Sequence, residues 1–171
     1  MYRIDDVLSE KRRKLSSVRV KETIKRVNVR QPAIDIGEKN TLSIDLGIKE
    51  NTTTDLDFPV FKNMKYETVT CFEVIEHLRN PLLFLTEVKK LLSPTGIFYL
   101  TTPVRWWIGK GKYHFHEYNK VELLNILRNA GFNDIELERI RAYNFKPTGI
   151  RPVIRLLRDV ILGQCFFVKA R

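Results

Sequence analysis

Residues 66–103 read "YETVTCFEVIEHLRNPLLFLTEVKKLLSPTGIFYLTTP", and this stretch decides the fold class. "ETVTCF" is a β-branched run of the length of a buried strand, and "IFYLTTP" is a second such run. Between them, "NPLLFLTEVKKLL" has apolar residues at helical spacing, with Asn80 as the candidate N-cap and Pro81 at the first helical position. "SPTG" is typical of a turn. A strand, a helix and a strand in this order predict parallel pairing in an α/β sheet.

The chain after this stretch continues the alternation. "NKVELLNILRNAGF" predicts a second amphipathic helix, with Asn119 as its N-cap and Gly131 at its C-terminal stop. "DIELERIRAY" alternates like a half-exposed strand, and "CFFVKA" predicts the last strand. We therefore expect one doubly wound, mostly parallel sheet with the last two strands as an antiparallel pair. Its strands are predicted around Ile34, Val69, Phe98, Ile135 and Phe167.

The chain before this stretch is shorter and less regular than the part after it. Residues 3–29 carry an approximate helical stripe of apolar side chains, and Pro32 favours extended chain before it. "AIDIG" predicts a short buried strand that ends at Gly37, and "TLSIDL" a short helix with Thr41 as its cap. Only 17 residues separate Gly37 from Asp55, so one strand–helix–strand crossover fits there and two do not. We expect a sheet that is truncated in its N-terminal half.

A chain of 171 residues is most simply one domain, and a domain near this size buries roughly 70% of its unfolded surface. We interpret residues 1–171 as a single domain. It has an N-terminal helical segment at 1–30 and a basic helical insertion at 144–162, before the last strand. Cys71 and Cys165 both lie in apolar runs and offer no ligand spacing, which favours a reducing, cytoplasmic location. Neither a signal peptide nor a membrane-spanning run is recognised.

The net charge is +10 and the isoelectric point is near 9.7, so this is a basic protein. Such a charge favours an acidic partner, for example nucleic acid, anionic lipid or a phosphorylated substrate. The alternative is a solvated basic face that has no partner.

Residues 66–103 resemble the second half of a class I S-adenosylmethionine-dependent methyltransferase domain. The similarity lies in the strand "ETVTCF", the pair Glu76 and His77, the turn "LLSPTG" and the strand that ends in "TTP". "HFHEYNKVELLNILRNAGF" is similar to the next segment of the family, a helix that ends in Gly-Phe. The resemblance covers about residues 33–143 and implies a Rossmann-like methyltransferase fold, with S-adenosylmethionine as the cofactor.

The family's glycine-rich cofactor motif is degenerate in this chain. It is reduced to Asp35-Ile36-Gly37-Glu38-Lys39-Asn40, in which the later glycines are missing. Those glycines allow the backbone to approach the ligand closely, so their loss is expected to weaken binding at the methionine end. The resemblance implies that the cofactor-binding residues are Asp35, Gly37, Glu38, Asn40, Asn51, Asp55, Phe72 and Glu73. Asp57 is the alternative to Asp55 as the adenine contact, and Asp35 is either a ligand-orienting or a capping acid.

Histidines supply the candidate acid–base groups. His77 follows a strand at the carboxyl edge of the sheet, where open α/β sheets place their ligands. In "HFHEY", an extended chain would put His114 and His116 on one face, with Glu117 adjacent. Such a group suits zinc or iron, but a third ligand is not evident, so we expect no metal and interpret His116 as a side chain that faces the substrate.

Two functions remain open on the sequence alone. The first is a compact methyltransferase, in which alignment of an acceptor with the reactive methyl group supplies most of the rate. His77 or His116 would act as a base only for an acceptor that must lose a proton. The second is a non-catalytic, methyltransferase-like binding or scaffold protein with a polyanionic partner. The sequence does not identify the methyl acceptor.

Overall fold

The computed structural model describes residues 18–38, 40–52, 55–61, 64–105, 113–142 and 165–171. The first part of the predicted N-terminal helical segment and the predicted basic insertion at 144–162 lie outside these residues.

The described strands form one six-stranded sheet in the order β2-β1-β3-β4-β6-β5. They are β1 (Ala33–Ile36), β2 (Glu50–Thr52), β3 (Tyr66–Phe72), β4 (Leu92–Pro103), β5 (Ile135–Ile140) and β6 (Cys165–Ala170). Strands β2, β1, β3 and β4 run parallel, and β6 is antiparallel to both of its neighbours. Val69 lies opposite Ile34 on one side and Phe98 on the other. The five predicted strands and the antiparallel final pair are confirmed, whereas the edge strand β2 was not predicted.

Four α-helices accompany the sheet in the part of the chain that the structure describes. They are α1, whose described part is residues 18–24, α2 (Thr41–Asp45), α3 (Pro81–Leu91) and α4 (Lys120–Asn129). The predicted caps of the two long helices are confirmed. The Asn80 side chain accepts a hydrogen bond from the Leu83 backbone N–H, and Asn119 forms a capping box with Glu122.

Three local predictions are corrected. The cap of α2 is Asn40 rather than Thr41, because the extended backbone at Asn40 lets its side chain accept from two N–H groups of the first turn. Residues 27–30 are not helical, and this stretch contains β-branched residues and ends shortly before Pro32. "SPTG" belongs to β4, where Gly96 approaches the Tyr66 carbonyl so closely that a Cβ would lie 2.6 Å from its oxygen.

Both faces of the sheet are covered. The buried faces of α3 and α4 pack with Val69 and Phe98 in one apolar cluster. On the opposite face, Tyr99 and Phe167 form a second cluster, against which apolar side chains of α1 pack. Strand β3 is therefore buried along almost its whole length, and Cys71 is inaccessible, as expected for a central parallel strand.

Within the described part of the N-terminal half, only the connection from β1 to β2 contains a helix. Between β1 and β3 the described chain forms only the short helix α2 and the three-residue strand β2. This agrees with the predicted truncation. Among the described residues, no helix is long and apolar enough to cross a membrane.

Candidate functional site

The end of β1 forms a turn that requires glycine. Gly37 has φ +130°, a backbone conformation that side-chain-bearing residues rarely adopt, and a Cβ there would lie 3.0 Å from Cγ2 of Val74. The Gly37 N–H donates to the Thr52 carbonyl at 3.0 Å, so the turn is tied to the end of β2. The chain can therefore pass closely beside the end of β3.

Polar side chains hold this turn from behind. The Asp35 carboxylate is 1% exposed, and its Oδ1 accepts from Oγ1 of Thr70 at 2.6 Å. Burial raises the pKa of Asp35, and the hydrogen bond from Thr70 opposes that shift. The Asn51 amide donates to the Asp35 carbonyl at 3.2 Å and to the Gly37 carbonyl at 2.8 Å. Asp35 and Asn51 thus support the turn, and neither is among the described residues that line the adjacent cleft.

A cleft of about 610 Å³ lies between this turn and the end of β3. One wall, the turn wall, consists of Gly37, Glu38 and Asn40; the other, the strand wall, consists of Phe72, Glu73 and His77. Arg19, Val20, Leu56 and Leu78 contribute to its margins. The structure therefore brings six of the predicted site residues together.

Much of the hydrogen-bonding capacity of the turn wall is used within the wall itself. Oδ1 of Asn40 accepts from the backbone N–H groups of Leu42 and Ser43, at 2.9 and 3.1 Å. The amide nitrogen of Asn40 donates to the Glu38 carbonyl at 3.0 Å. Asn40 lines the cleft, but its side chain mainly stabilises α2 and the turn.

Asp55 and Asp57, between β2 and β3, have different roles, which could not be distinguished from the sequence. Asp55 is exposed, and its carboxylate accepts from the Asp57 N–H at 3.0 Å. The Asp57 carboxylate accepts from the N–H groups of Arg79 and Asn80, at 2.6 and 2.9 Å, and so holds the chain that enters α3. The cleft residue of this segment is Leu56 rather than either aspartate.

Glu73 occupies a conformation that is uncommon for a residue with a side chain. Its φ is +57°, and it directly follows β3. Such backbone costs about 1–3 kcal/mol and persists where the surroundings hold it in place. Here the Glu73 carboxylate forms an ion pair with Arg19 of α1 and accepts a hydrogen bond from Sγ of Cys165 at 3.2 Å. The strand wall is therefore linked to the N-terminal helix and to the last strand.

Glu76, His77 and His114 form a polar cluster beside the cleft, which we call the Glu–His cluster. One potential ligand atom from each of the three lies within 4.8 Å of the others. The two imidazole rings meet edge to face, with centroids 5.0 Å apart. Glu76 is 1% exposed, and its Oε2 accepts from Oγ1 of Thr102 at 3.1 Å. Burial raises the pKa of Glu76, and the charge of Glu73 adds to the shift.

His116 lies apart from both the cleft and the cluster. It lines a shallow groove against α4, together with Arg105 and Glu122, and its ring stacks on Tyr118 with the centroids 6.0 Å apart. The assumption of an extended "HFHEY" segment is wrong, because the chain bends where the N–H groups of Phe115 and His116 both donate to the Glu76 carbonyl. His114, which the sequence interpretation did not select, joins His77 instead.

Sequence reasoning also missed Arg19 and the position of His114. Arg19 is 54 residues from Glu73 along the chain, and no local pattern joins the two. His114 is marked only by its closeness to two other ionisable residues in "HFHEY". A search for ionisable residues near the ends of adjacent strands would have included His114.

The position of the cleft defines a class of protein. From β1 the chain proceeds to β2 on one side and then crosses to β3 on the other, so the strand order reverses between β1 and β3. Open α/β sheets bind ligands outside the carboxyl ends of their strands at such a reversal. The fold and cleft are those of a doubly wound, ligand-binding α/β protein.

Comparison with known families is more specific. A family model described as "Methyltransferase domain" matches residues 21–137, which is more than half of the chain. The chain belongs to this methyltransferase domain family.

Individual relatives support the same family. A "Probable S-adenosylmethionine-dependent methyltransferase" of Mycolicibacterium smegmatis is 29% identical over 116 residues, which are 64% of this chain and 39% of that protein. A ubiquinone biosynthesis O-methyltransferase of Actinobacillus pleuropneumoniae is 25% identical over 146 residues, 73% of this chain and 61% of that protein. The chain thus spans less than two thirds of the length of these relatives.

A solved structure shows the same fold. The methyltransferase in a complex with the Haloferax volcanii Trm112 methyltransferase activator superposes with a TM-score of 0.71 at 17% identity. The match covers 97% of this chain and 92% of that one.

Proposed function

We propose that this chain binds S-adenosylmethionine in the cleft beside Gly37 and transfers its methyl group to an acceptor. The observation that carries the proposal is the position of the cleft at the strand-order reversal, between the Gly37 turn and the end of β3. Two residues that the family resemblance implied for the cofactor, Phe72 and Glu73, line the opposite wall. The names of the relatives are consistent with this cofactor.

The lining suits a ligand with an apolar and a charged end. Leu56, Phe72 and Leu78 offer apolar surface for an adenine ring. Arg19 and Glu73 offer opposite charges for the carboxylate and ammonium groups of a methionine moiety. Because the two side chains are paired with each other, a ligand must compete with that ion pair.

Methyl transfer makes few demands on side-chain chemistry. The sulfonium-bound methyl group is reactive, so holding an acceptor atom in line with it supplies most of the rate. An acceptor that loses a proton needs a base, and His77 is the imidazole that reaches the cleft. His116 lines a different groove and is less suited to that role.

Equilibrium binding tests the proposal directly. The 171-residue chain is titrated with S-adenosylhomocysteine in a calorimeter, and its thermal unfolding is followed with and without the same ligand. We expect binding near one equivalent and a higher melting temperature, since a ligand that binds only the folded state stabilises it. Adenosine, which lacks the amino-acid end, should bind more weakly. Absence of both heat and thermal shift at saturating ligand would remove the enzyme proposal and favour the non-catalytic scaffold.

A further inference from the structure

We propose that the Glu–His cluster, formed by Glu76, His77 and His114, is a binding site for a divalent transition-metal ion. The three residues come from two segments, the 3₁₀ turn Ile75–His77 and residues 113–119 before α4. Two imidazoles and one carboxylate are a ligand set that suits Zn²⁺, Co²⁺ or Fe²⁺. The proposal does not depend on cofactor binding or methyl transfer.

The hydrogen bonds behind the histidines orient them as ligands. Nδ1 of His77 lies 2.9 Å from the Tyr113 carbonyl oxygen, which can only accept, so this nitrogen carries the proton and Nε2 keeps its lone pair. Nδ1 of His114 lies 2.8 Å from Oε1 of Glu117, a buried carboxylate. Metal-binding histidines typically donate their second N–H to a carbonyl or carboxylate in this way, which fixes ring orientation and tautomer. Both histidines therefore have a defined Nε2 available for a ligand.

The buried carboxylate provides a reason for a cation at this place. Glu76 is 1% exposed, and its Oε1 lies 3.9 Å from Nε2 of His77, beyond hydrogen-bonding distance. A buried carboxylate is costly unless it is neutralised, paired or coordinated. A divalent cation at the cluster would coordinate this carboxylate through Oε1.

The distances require only a small adjustment. Metal–nitrogen and metal–oxygen bonds of about 2.0–2.2 Å place the ligands of a tetrahedral ion roughly 3.4 Å apart. The ligand atoms of the cluster already lie within 4.8 Å of one another. The His77 side chain is 45% exposed, which leaves room for a small shift that keeps its hydrogen bond to the Tyr113 carbonyl. Since His77 also lines the cleft, a bound ion would lie at its margin, with coordination positions left for oxygen ligands.

Cobalt binding tests the site. The tag-free 171-residue chain, treated with a chelator and dialysed, is titrated with Co²⁺ while visible absorption is recorded, and with Zn²⁺ in a calorimeter. We expect one ion per chain, a cobalt d–d spectrum and an increase in melting temperature. The variants His77→Gln and His114→Gln should each weaken binding by more than about 100-fold. Glu117→Gln should weaken it by about 10–100-fold, because it removes the negative charge behind His114 but no metal ligand.

His116→Gln is the matched control, because His116 is the next histidine in the same loop but lines another groove. It should leave cobalt affinity within about two-fold. Circular dichroism establishes that each variant is folded, and Glu117→Gln remains informative if a ligand variant is not. The proposal is overturned if wild-type protein binds no ion, or if His116→Gln weakens binding as much as His114→Gln does.

Discussion

The two walls of the cleft are built on different principles. The turn wall around Gly37 is held by an internal network, in which Asp35, Asn40 and Asn51 direct their polar atoms to the protein itself. The strand wall after β3 instead carries Glu73, which has a left-handed conformation and is paired with distant segments, and His77, whose side chain is 45% exposed. The comparison teaches that a motif with missing glycines can keep its backbone path while the groups available for a ligand lie on the opposite wall.

The largest effect is expected from Gly37→Ala. Alanine at φ +130° is strained, and its Cβ would press on Val74, so the substitution should cost about 1–3 kcal/mol and weaken S-adenosylhomocysteine binding at least ten-fold. Chemical denaturation and calorimetry measure the two quantities. Gly47→Ala is the control. Gly47 also has a positive φ, +69°, but nothing lies within 4 Å of its Cβ position, so only stability should change, by about 1 kcal/mol. Equal losses of affinity in both variants would show that the Gly37 turn has no particular role in ligand binding.

Removal of the Asn51 amide should have the next largest effect. Asn51→Ala leaves the carbonyls of Asp35 and Gly37 without their side-chain donor, and we expect a loss of about 1–2 kcal/mol in the free energy of unfolding. Asn125→Ala, on the exposed face of α4, should change it by less than about 0.5 kcal/mol. Equal free energies of unfolding for the two variants in urea denaturation would show that the Asn51 side chain does not stabilise the turn wall.

Asp35→Asn should alter the pH dependence of stability more than stability itself. Burial raises the folded-state pKa of Asp35, so the native state binds this proton more tightly than the unfolded state does. The resulting stabilisation is present below about pH 4, the ordinary pKa of Asp, and is lost as pH rises through the folded-state pKa. Asparagine cannot titrate and can still accept from Thr70. The melting temperature of the variant relative to wild type should therefore increase between pH 4 and pH 7, and a constant or decreasing difference would contradict this account.

Glu38→Gly should have the smallest effect on binding. Glu38 is exposed on the turn wall, directly after Gly37 and at the predicted methionine end of the cleft. Replacement removes a side chain from the methionine end of the cleft, so the affinity for S-adenosylhomocysteine should stay the same or rise a few-fold. A clear loss of affinity in calorimetry would mean that Glu38 contacts the ligand and that the turn wall has gained a function in place of its missing glycines.

The same contrast explains which features the sequence could predict. The segment β3–α3–β4 follows from local rules, because apolar periodicity and the caps of α3 are encoded by neighbours in the chain. Gly37 could be predicted because a strand that ends in glycine is a local pattern as well. The partner of Glu73 could not be predicted, since Arg19 comes from a helix far away in sequence.

The sequence also could not distinguish the roles of similar residues that lie close together in the chain. Asp55 and Asp57 are two positions apart, and only the structure shows that Asp57 accepts from the backbone before α3. His114 and His116 are separated by one residue, and a bend rather than an extended chain sends them to different sites. Hydrogen bonds between distant segments decided both cases, and such bonds leave no periodic signal.

The contacts of Glu73 also bear on the order in which the cleft is completed during synthesis. Its carboxylate joins Arg19, which leaves the ribosome early, to Cys165, which leaves it after every other part of the cleft described here. Until the last strand has emerged, this carboxylate lacks one of its two side-chain partners. The strand wall therefore reaches its final form only after translation has passed β6, and a cofactor that recognises that wall cannot guide the folding of the segments made before it.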